Sequence, residues 1–246
     1  MRYPNIIIAG FARTGTSIMF KCLQNSGYNT NEEALKGRRI RAEDNYFAFG
    51  CKQIAQKRGA KGLMGLAEKD IGIDILTGEY DKDMLDDEEY EEWTESYTTP
   101  ILTYFKIFKI ELLKHHMLAY SLPIWIREST AFRKAKYIWT TRDHKEMAKS
   151  VIRMKSYDYK PFINKLRFNK ILKAIDAYEI ELERVLPKDQ FIKVPLEDLQ
   201  ALDEGLINKI EGFIERPFNT AFISKKDTWD GRKQGVTLGD YFEEFE

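Results

Sequence analysis

The chain has 246 residues, and its 39 basic and 39 acidic side chains give a formal net charge of zero, which argues against a nucleic-acid partner and leaves anion binding to local sites. Its two cysteines, Cys22 and Cys51, are too few for a disulfide framework and are interpreted as free thiols in a reducing compartment. No apolar stretch is long enough to span a membrane, and the first strand begins too early for a signal peptide, so we expect a cytoplasmic protein.

Strands and helices alternate along the predicted chain. Ile6–Ala9 is short, apolar and rich in β-branched residues, which is typical of a strand covered on both faces of a parallel sheet. From about Thr16 the apolar residues recur at helical spacing, until Asn25-Ser26-Gly27 ends the helix. Three later runs are also predicted to be strands: Tyr104–Ile110, Tyr137–Thr141 and Phe191–Val194.

Helical patterns follow the third and the fourth strand. A long helix ends at Pro187, and its apolar residues recur at helical spacing: Leu166, Ile171, Leu172, Ile175, Tyr178, Leu182, Val185 and Leu186. The last helix has the apolar stripe Leu202, Leu206, Ile207, Ile210, Phe213 and Ile214. Alternating strands and helices predict parallel pairing, and therefore an α/β fold with three layers, α/β/α, around a central, mostly parallel sheet.

The chain shows neither an internal repeat nor a linker, so we expect a single domain over residues 1–246. An acidic insertion interrupts the alternation around residues 79–95, where the sequence reads EYDKDMLDDEEYEEWTE. Carboxylates in such number favour a solvated helix face or an exposed insertion.

The loop after the first strand reads GFARTGTS from Gly10 to Ser17. It fits the P-loop pattern G-x-x-x-x-G-K-[ST] except at Thr16, which replaces the lysine. A glycine-flanked turn between a strand and a helix presents several backbone N–H groups, and the helix dipole adds positive potential, so an anion site exists without the lysine. Lysine is required where the outer phosphates of a Mg²⁺-bound triphosphate are held. The loop therefore favours a shorter anion, with Arg13 placed to contact its terminal group.

A second cluster follows the predicted strand YIWTT. Arg142 comes at the carboxyl end of this strand, Asp143 and Glu146 form a capping-box-like helix start, and Ser150 lies two turns further along the helix. Ligands of open parallel sheets bind at the carboxyl ends of the strands, so we expect Arg142 to share a crevice with the first loop. An arginine and a serine around one point are suited to a second, separate phosphate.

The two clusters together resemble the motifs of the sulfotransferases that use 3′-phosphoadenosine 5′-phosphosulfate (PAPS). The resemblance spans roughly Asn5 to Phe213, and Val194-Pro-Leu-Glu-Asp-Leu199 resembles the late strand-to-helix segment of that family, whereas residues 38–99 do not align with its motifs. With arginine at position 13, the loop resembles that of the tyrosylprotein sulfotransferases and several bacterial types, whereas many other members of the family have lysine there. The resemblance implies PAPS as the donor, adenosine 3′,5′-bisphosphate (PAP) as the product, and no metal.

The resemblance also implies which residues hold the donor. The 5′-phosphosulfate would be bound by Arg13, Thr14, Gly15, Thr16 and Ser17, and the 3′-phosphate by Arg142 and Ser150. Late in the chain, GRKQGVTLGDYF resembles the R-K-G-x-x-G-D-W loop that cytosolic sulfotransferases fold over the 3′-phosphate, which would add Arg232 and Lys233. A glycine-punctuated surface turn is the alternative for this segment.

Sulfuryl transfer requires a base that accepts the proton of the acceptor. Arginine-type sulfotransferases carry a catalytic glutamate shortly after the first helix, often the second of a pair, and the resemblance implies Glu33 or, next, Glu32. Cytosolic relatives use a histidine and have K-T-H at the end of the second strand. Here Lys109-Ile110-Glu111 stands at that point, so three further candidates follow in rank: Glu111, His115 and His116.

The predicted activity is the in-line transfer of a sulfuryl group from PAPS to a hydroxyl or amine acceptor, with a carboxylate as the base. Carbohydrates, small alcohols, phenols and peptide tyrosines all stay open as acceptors. Two alternatives are a nucleotide or small-molecule kinase with a degenerate P-loop, against which Thr16 counts, and a catalytically inactive relative that binds nucleotide.

Overall fold

A computed structural model describes residues 5–11, 13–30, 73–74, 79–80, 106, 109–114, 122, 126, 129–155, 168–169, 172–173, 175–176, 179–180 and 182–223. Within these residues, four parallel strands form one sheet in the spatial order β4-β1-β5-β6. Their bounds are β1 Ile6–Ala9, β4 Leu112–Leu113, β5 Lys136–Thr141 and β6 Phe191–Pro195. β2 (Ile73–Asp74) and β3 (Glu79–Tyr80) form a separate antiparallel pair.

The helices with described bounds are α1 (Thr16–Asn25), α2 (Thr130–Arg133), α3 (His144–Lys155), α4 (Leu196–Ala201) and α5 (Glu204–Ile214). Further helical residues lie between positions 168 and 185, and a 3₁₀ turn precedes β6. The start of α3 is set by Asp143, whose Oδ1 accepts from the Glu146 N–H at 2.9 Å. This bond satisfies a first-turn donor, and it confirms the predicted helix start after β5.

One face of the sheet is covered by α1 and α5. The side chains buried in this layer come from alternate strand positions and from the two helices: Ile6, Ile8, Ile138, Ile192, Val194, Met19, Phe20, Leu23, Leu206, Ile210 and Ile214. Burying one large apolar side chain contributes roughly 1.5–3 kcal/mol. This layer therefore fixes α1, and with it the loop that precedes α1, against the sheet.

The opposite face of the sheet is buried as well. Tyr137 and Trp139, which alternate with Ile138 along β5, are at most 1% exposed. Lys193 Nζ lies 4.3 Å from the centroid of the Trp139 ring and 2.6 Å from Glu183 Oε1, which places the helix that contains Glu183 on this side. Helices therefore cover both faces, and the predicted α/β/α layering around a parallel sheet is confirmed.

The predicted strand at Tyr104–Ile110 is wrong. Among the described residues of that range, Lys106 is helical and Lys109 lies in a turn with a φ of 52°. The strand that joins the sheet is Leu112–Leu113, which pairs with the first two residues of β1. Pairing with β1 and burial, rather than the aromatic composition of the upstream run, decide where this strand lies.

The prediction that Leu202 belongs to the last helical stripe is also wrong. Leu202 has a φ of 56°, is 44% exposed and separates α4 from α5. A new helix begins there because Asp203 Oδ1 accepts from the Leu206 N–H at 2.7 Å. The helical residues between 168 and 185 do end before Pro187 as predicted.

The structure bears on three smaller expectations. Cys22 is a free thiol in the core, and burial raises its pKa to about 12, whereas Cys51 lies outside the described residues. No helix in the described part of the chain is long and apolar enough to cross a membrane. Of the predicted acidic insertion, Glu79–Tyr80 forms β3 and the remainder lies outside the described residues.

Candidate functional site

The carboxyl ends of the parallel strands meet at one edge of the sheet. Gly10 follows β1, Lys114 follows β4, Arg142 follows β5 and Leu196 follows β6. Open α/β sheets bind their ligands at this edge, so the segments after the four strands define the candidate site. Two of these four residues are cations, which favours an anionic ligand.

The loop between β1 and α1 is held against β5 by two threonines. Thr14 Oγ1 donates to Phe11 O at 2.8 Å and lies 2.7 Å from Thr140 Oγ1. Gly10 leaves the space for this arrangement, because a Cβ at that position would lie 2.3 Å from Thr140 Oγ1. Thr14 is 1% exposed, so it shapes the loop from within and its hydroxyl is not available to a ligand.

The helix α1 begins at the end of this loop without a side-chain cap. Gly15 is the N-cap residue, and because it has no side chain it forms no side-chain cap hydrogen bond. The first helical bond runs from the Met19 N–H to Gly15 O at 3.0 Å. First-turn N–H groups have no partners within a helix, and the positive end of the helix dipole lies at the same point. The start of α1 is therefore suited to an anion.

Gly15 has a left-handed backbone that alanine would strain. Its φ is 87°, and a Cβ there would lie 2.5 Å from Leu196 Cδ1. We expect Gly15→Ala to lower the free energy of unfolding by about 2–3 kcal/mol, through backbone strain and displacement of Leu196, as measured by urea denaturation. Gly27→Ala is the matched control, because Gly27 has a φ of 90° but open space around it. This variant should lose only the part of the unfolding free energy that comes from backbone strain. Equal losses in the two variants would contradict the contact with Leu196.

Arg13 connects the first loop with α3. Its Nε donates to Ser150 Oγ at 2.8 Å, across 137 positions of sequence. The sequence interpretation assigned these two residues to separate anion sites, whereas the structure brings their side chains into contact. Arg13 also has a left-handed backbone with a φ of 75°. A non-glycine residue in this region is unfavourable by about 1–2 kcal/mol, and strain of this kind clusters at functional sites.

Lys114 is a buried cation that the sequence interpretation missed. It is 6% exposed, and its Nζ lies 3.4 Å from Ser17 Oγ in the first turn of α1. The predicted strand ended at Ile110, which hid the position of this lysine at a strand end. With β4 at Leu112–Leu113, the residues that follow the strand are Lys114-His115-His116, at the point where the cytosolic sulfotransferases have K-T-H. The lysine could therefore have been recognised from the sequence.

Arg142 lies directly after β5, as predicted, and faces the first turn of α4. Its Nε is 3.6 Å from Glu197 Oε1, a separation that makes an ion pair but no hydrogen bond. The same Nε is buried and forms no hydrogen bond with the described residues. Arg13, Lys114 and Arg142 thus supply cations from three segments that follow three neighbouring strands.

Glu111, one of the candidate bases, lies at the opposite edge of the sheet. It precedes β4, and its backbone O accepts from the Ile6 N–H at 2.9 Å, at the start of β1. Its carboxylate accepts from the Asn29 N–H at 3.0 Å and from Arg216 at 3.3 Å. Glu111 therefore belongs to an ion pair at the amino ends of the strands and does not face the first loop.

Thr16 and Ser17 occupy the first turn of α1, and Ser150 lies on α3 after Arg142, as the sequence predicts. Six further candidates lie outside the described residues, and their roles stay predictions: Glu32, Glu33, His115, His116, Arg232 and Lys233. In the part of the chain that is described, no three His, Cys, Asp or Glu side chains are grouped to hold a metal ion.

The chain belongs to the Sulfotransferase family, whose sequence profile matches residues 4–220. Among solved structures, the sulfotransferase domain from the Synechococcus PCC 7002 olefin synthase is similar, with a TM-score of 0.52 and 18% identity over 90% of this chain and 76% of that one. The sulfotransferase domain from the curacin biosynthetic pathway has a TM-score of 0.53 and 14% identity, over 89% of this chain and 76% of that one. At these identities the likeness concerns the fold. No curated protein matches the sequence.

Proposed function

We propose that the protein transfers a sulfuryl group from PAPS to a hydroxyl or amine acceptor. The observation that carries the proposal is the convergence of Arg13, Lys114 and Arg142 on the sheet edge where α1 begins without a side-chain cap. Membership of the Sulfotransferase family supports sulfuryl as the group that is transferred. The arrangement of cations supports a donor with two separated anionic groups.

The first loop would hold the 5′-phosphosulfate of the donor. The phosphosulfate would accept hydrogen bonds from the first-turn N–H groups of Thr16 and Ser17, and Arg13 and Lys114 would lie beside it. Gly15 keeps this position free of a side chain. A single phosphosulfate needs no lysine that reaches outer phosphates and no Mg²⁺ to neutralise a triphosphate, which agrees with threonine at position 16.

The 3′-phosphate would be held by Arg142 and Ser150. Ser150 Oγ accepts from Arg13 Nε, so its own hydroxyl proton stays available to donate to a phosphate oxygen. The serine would then connect the two anion sites, with Arg13 on one side and the 3′-phosphate on the other. Arg232 and Lys233 are proposed to add two further cations to this site on the strength of the resemblance alone.

In the transfer step, the acceptor oxygen forms a bond to sulfur while the bond from sulfur to the bridging phosphate oxygen breaks. Negative charge grows on that bridging oxygen, and Arg13 and Lys114 are the cations beside the first loop that would stabilise it. Glu33, or next Glu32, would accept the proton that the acceptor releases. Each group thus acts at one stated atom of the reaction.

Calorimetric titration of PAP and of AMP tests the two anion sites. PAP should bind roughly 10- to 150-fold more tightly than AMP, because a charge-assisted hydrogen bond contributes about 1.5–3 kcal/mol and only PAP reaches both sites. Arg142→Ala should abolish this preference without a change in the melting temperature of the protein. Arg133→Ala is the matched control, since Arg133 ends α2 and precedes β5 at the opposite edge of the sheet.

The same titration in EDTA separates this function from a kinase. PAP affinity should not change when divalent metal is removed, since no outer phosphates require a metal bridge. Equal affinity for PAP and AMP would contradict the role of Arg142 and Ser150. Tight binding of ATP that requires Mg²⁺ and that PAP does not compete with would favour the kinase instead.

A further inference from the structure

A carboxylate lies at the edge of a site otherwise lined by cations. Glu197 is in the first turn of α4, directly after Leu196, which packs against Gly15 of the first loop. Glu197 Oε1 is 3.6 Å from Arg142 Nε, and the two side chains are 53% and 24% exposed. A negative charge beside a proposed phosphate site calls for a physical account, because it repels the ligand.

The burial of Arg142 shows on which side this carboxylate lies. The Nε atom is buried, so the exposed quarter of the side chain belongs to its other atoms. Glu197 therefore faces the shielded edge of the guanidinium. An anion that approaches from solvent meets other atoms of Arg142 and need not displace Glu197.

We propose that Glu197 is a positioning residue for Arg142 and thereby sets the preference for a nucleotide with a 3′-phosphate. The inference rests on the proposed function. Among the described residues, Glu197 is the polar partner of the Arg142 guanidinium, whose buried Nε forms no hydrogen bond, so this carboxylate would orient it before the ligand arrives. An arginine that is already oriented loses less side-chain freedom when it binds a phosphate. The proposal requires this gain to exceed the repulsion between Glu197 and the phosphate, and this requirement sets the sign of the expected effect.

Titration of PAP and AMP into Glu197→Ala tests the inference. The preference for PAP over AMP should fall about 3- to 10-fold, the range expected for ordering one long side chain, while AMP affinity stays unchanged. In Glu197→Gln the preference for PAP should fall less, because the amide oxygen still faces Arg142 Nε. Asp198→Ala is the matched control: it removes an exposed carboxylate from the same helical turn and should change neither affinity.

A double-mutant cycle with Arg142→Ala supplies the decisive readout. In the Arg142→Ala background, Glu197→Ala should cause no further change in the preference, since the residue it positions is gone. Tighter PAP binding by Glu197→Ala would show that the carboxylate only repels the ligand, and an equal loss for PAP and AMP would show an effect through the first loop. Either result overturns the inference.

Two other outcomes distinguish this inference from the proposed function. If wild-type protein prefers PAP and Glu197→Ala keeps the full preference, the inference is wrong and the proposed function stands. If wild-type protein binds PAP and AMP equally, the 3′-phosphate site is absent and both are wrong. Melting temperatures of all variants verify folding, and Glu197→Gln carries the test if Glu197→Ala is unstable.

Discussion

Replacing Arg13 with alanine is expected to lower the turnover number by roughly 10³-fold, because the charge that grows on the departing PAP loses the cation within the first loop. The guanidinium is held in place by its hydrogen bond to Ser150 Oγ at 2.8 Å. A cation that is already oriented requires no rearrangement as the charge develops. PAP affinity should fall as well, by about tenfold or more, since the same side chain is proposed to contact the bound product.

The measurement is the release of PAP from PAPS in the presence of a panel of acceptors: a carbohydrate, a small alcohol, a phenol and a tyrosine peptide. Arg13→Lys is the matched variant, because it keeps the charge but lacks the Nε that donates to Ser150. It should retain more turnover than Arg13→Ala, and Arg133→Ala should retain all of it. Wild-type turnover by Arg13→Ala would show that another group stabilises the leaving PAP.

The first loop and α1 are predictable from sequence because their signals are local. Apolar residues at helical spacing and the Asn25-Ser26-Gly27 stop give the helix its bounds, which the structure places at Thr16–Asn25. The glycines of the loop give the turn, since Gly10 and Gly15 each occupy a position where a Cβ would meet a neighbour closer than 3 Å. Each of these signals lies within a few residues of the element that it determines.

The second strand is not predictable in the same way. The run Tyr104–Ile110 has the composition of a strand, yet β4 is only two residues long and its place is set by pairing with β1. Pairing joins residues that are far apart in sequence, so composition alone does not locate it. The error extended to the site, because the buried cation at the true strand end, Lys114, fell outside the predicted strand.

Contacts between segments of the site show the same limit. Helical spacing places Ser150 two turns beyond Arg142, but it does not show that the first loop folds onto α3 and that Arg13 contacts this serine. The pairing of Arg142 with Glu197 likewise depends on β5 and β6 being neighbours with Thr141 opposite Pro195. Sequence motifs therefore identify most of the cations, and the fold determines which residues they contact.

Glu33→Gln is expected to lower the turnover number by about 10²–10⁴-fold, which is the usual contribution of a general base, while PAP affinity stays unchanged. The last described anchor before Glu33 limits how far this residue can reach. Asn29 is anchored near the end of α1, where its N–H lies 3.0 Å from Glu111 Oε2. The four residues from Asn29 to Glu33 span at most about 13–14 Å, slightly less than the roughly 15 Å length of α1, so an extended chain with the Glu33 side chain directed towards the first loop is what the proposed role requires.

His116 is the rival base that the corrected strand brings forward. It follows Lys114 by two residues, so the two Cα atoms can be at most about 7 Å apart, and Lys114 Nζ lies 3.4 Å from Ser17 Oγ. Four variants identify the residue whose loss removes turnover: Glu33→Gln, Glu32→Gln, His116→Gln and His115→Gln. Each is assayed by PAP release with one working acceptor. PAP titration of each variant separates a lost base from a lost donor site.

The dependence of kcat/KM on pH distinguishes a carboxylate base from an imidazole base without mutation. A base must be deprotonated to accept the proton, so activity falls as the pH falls through its pKa. An ordinary carboxylate, with a pKa near 4.3, would keep kcat/KM constant from pH 8 to about pH 5.5, whereas an imidazole with a pKa near 6.5 would lose activity below about pH 7. We expect the carboxylate profile in the wild type and its loss in Glu33→Gln. An imidazole profile that disappears in His116→Gln would transfer the role of the base to the residue that follows β4, and would leave the donor site at Arg13, Ser150 and Arg142 as proposed.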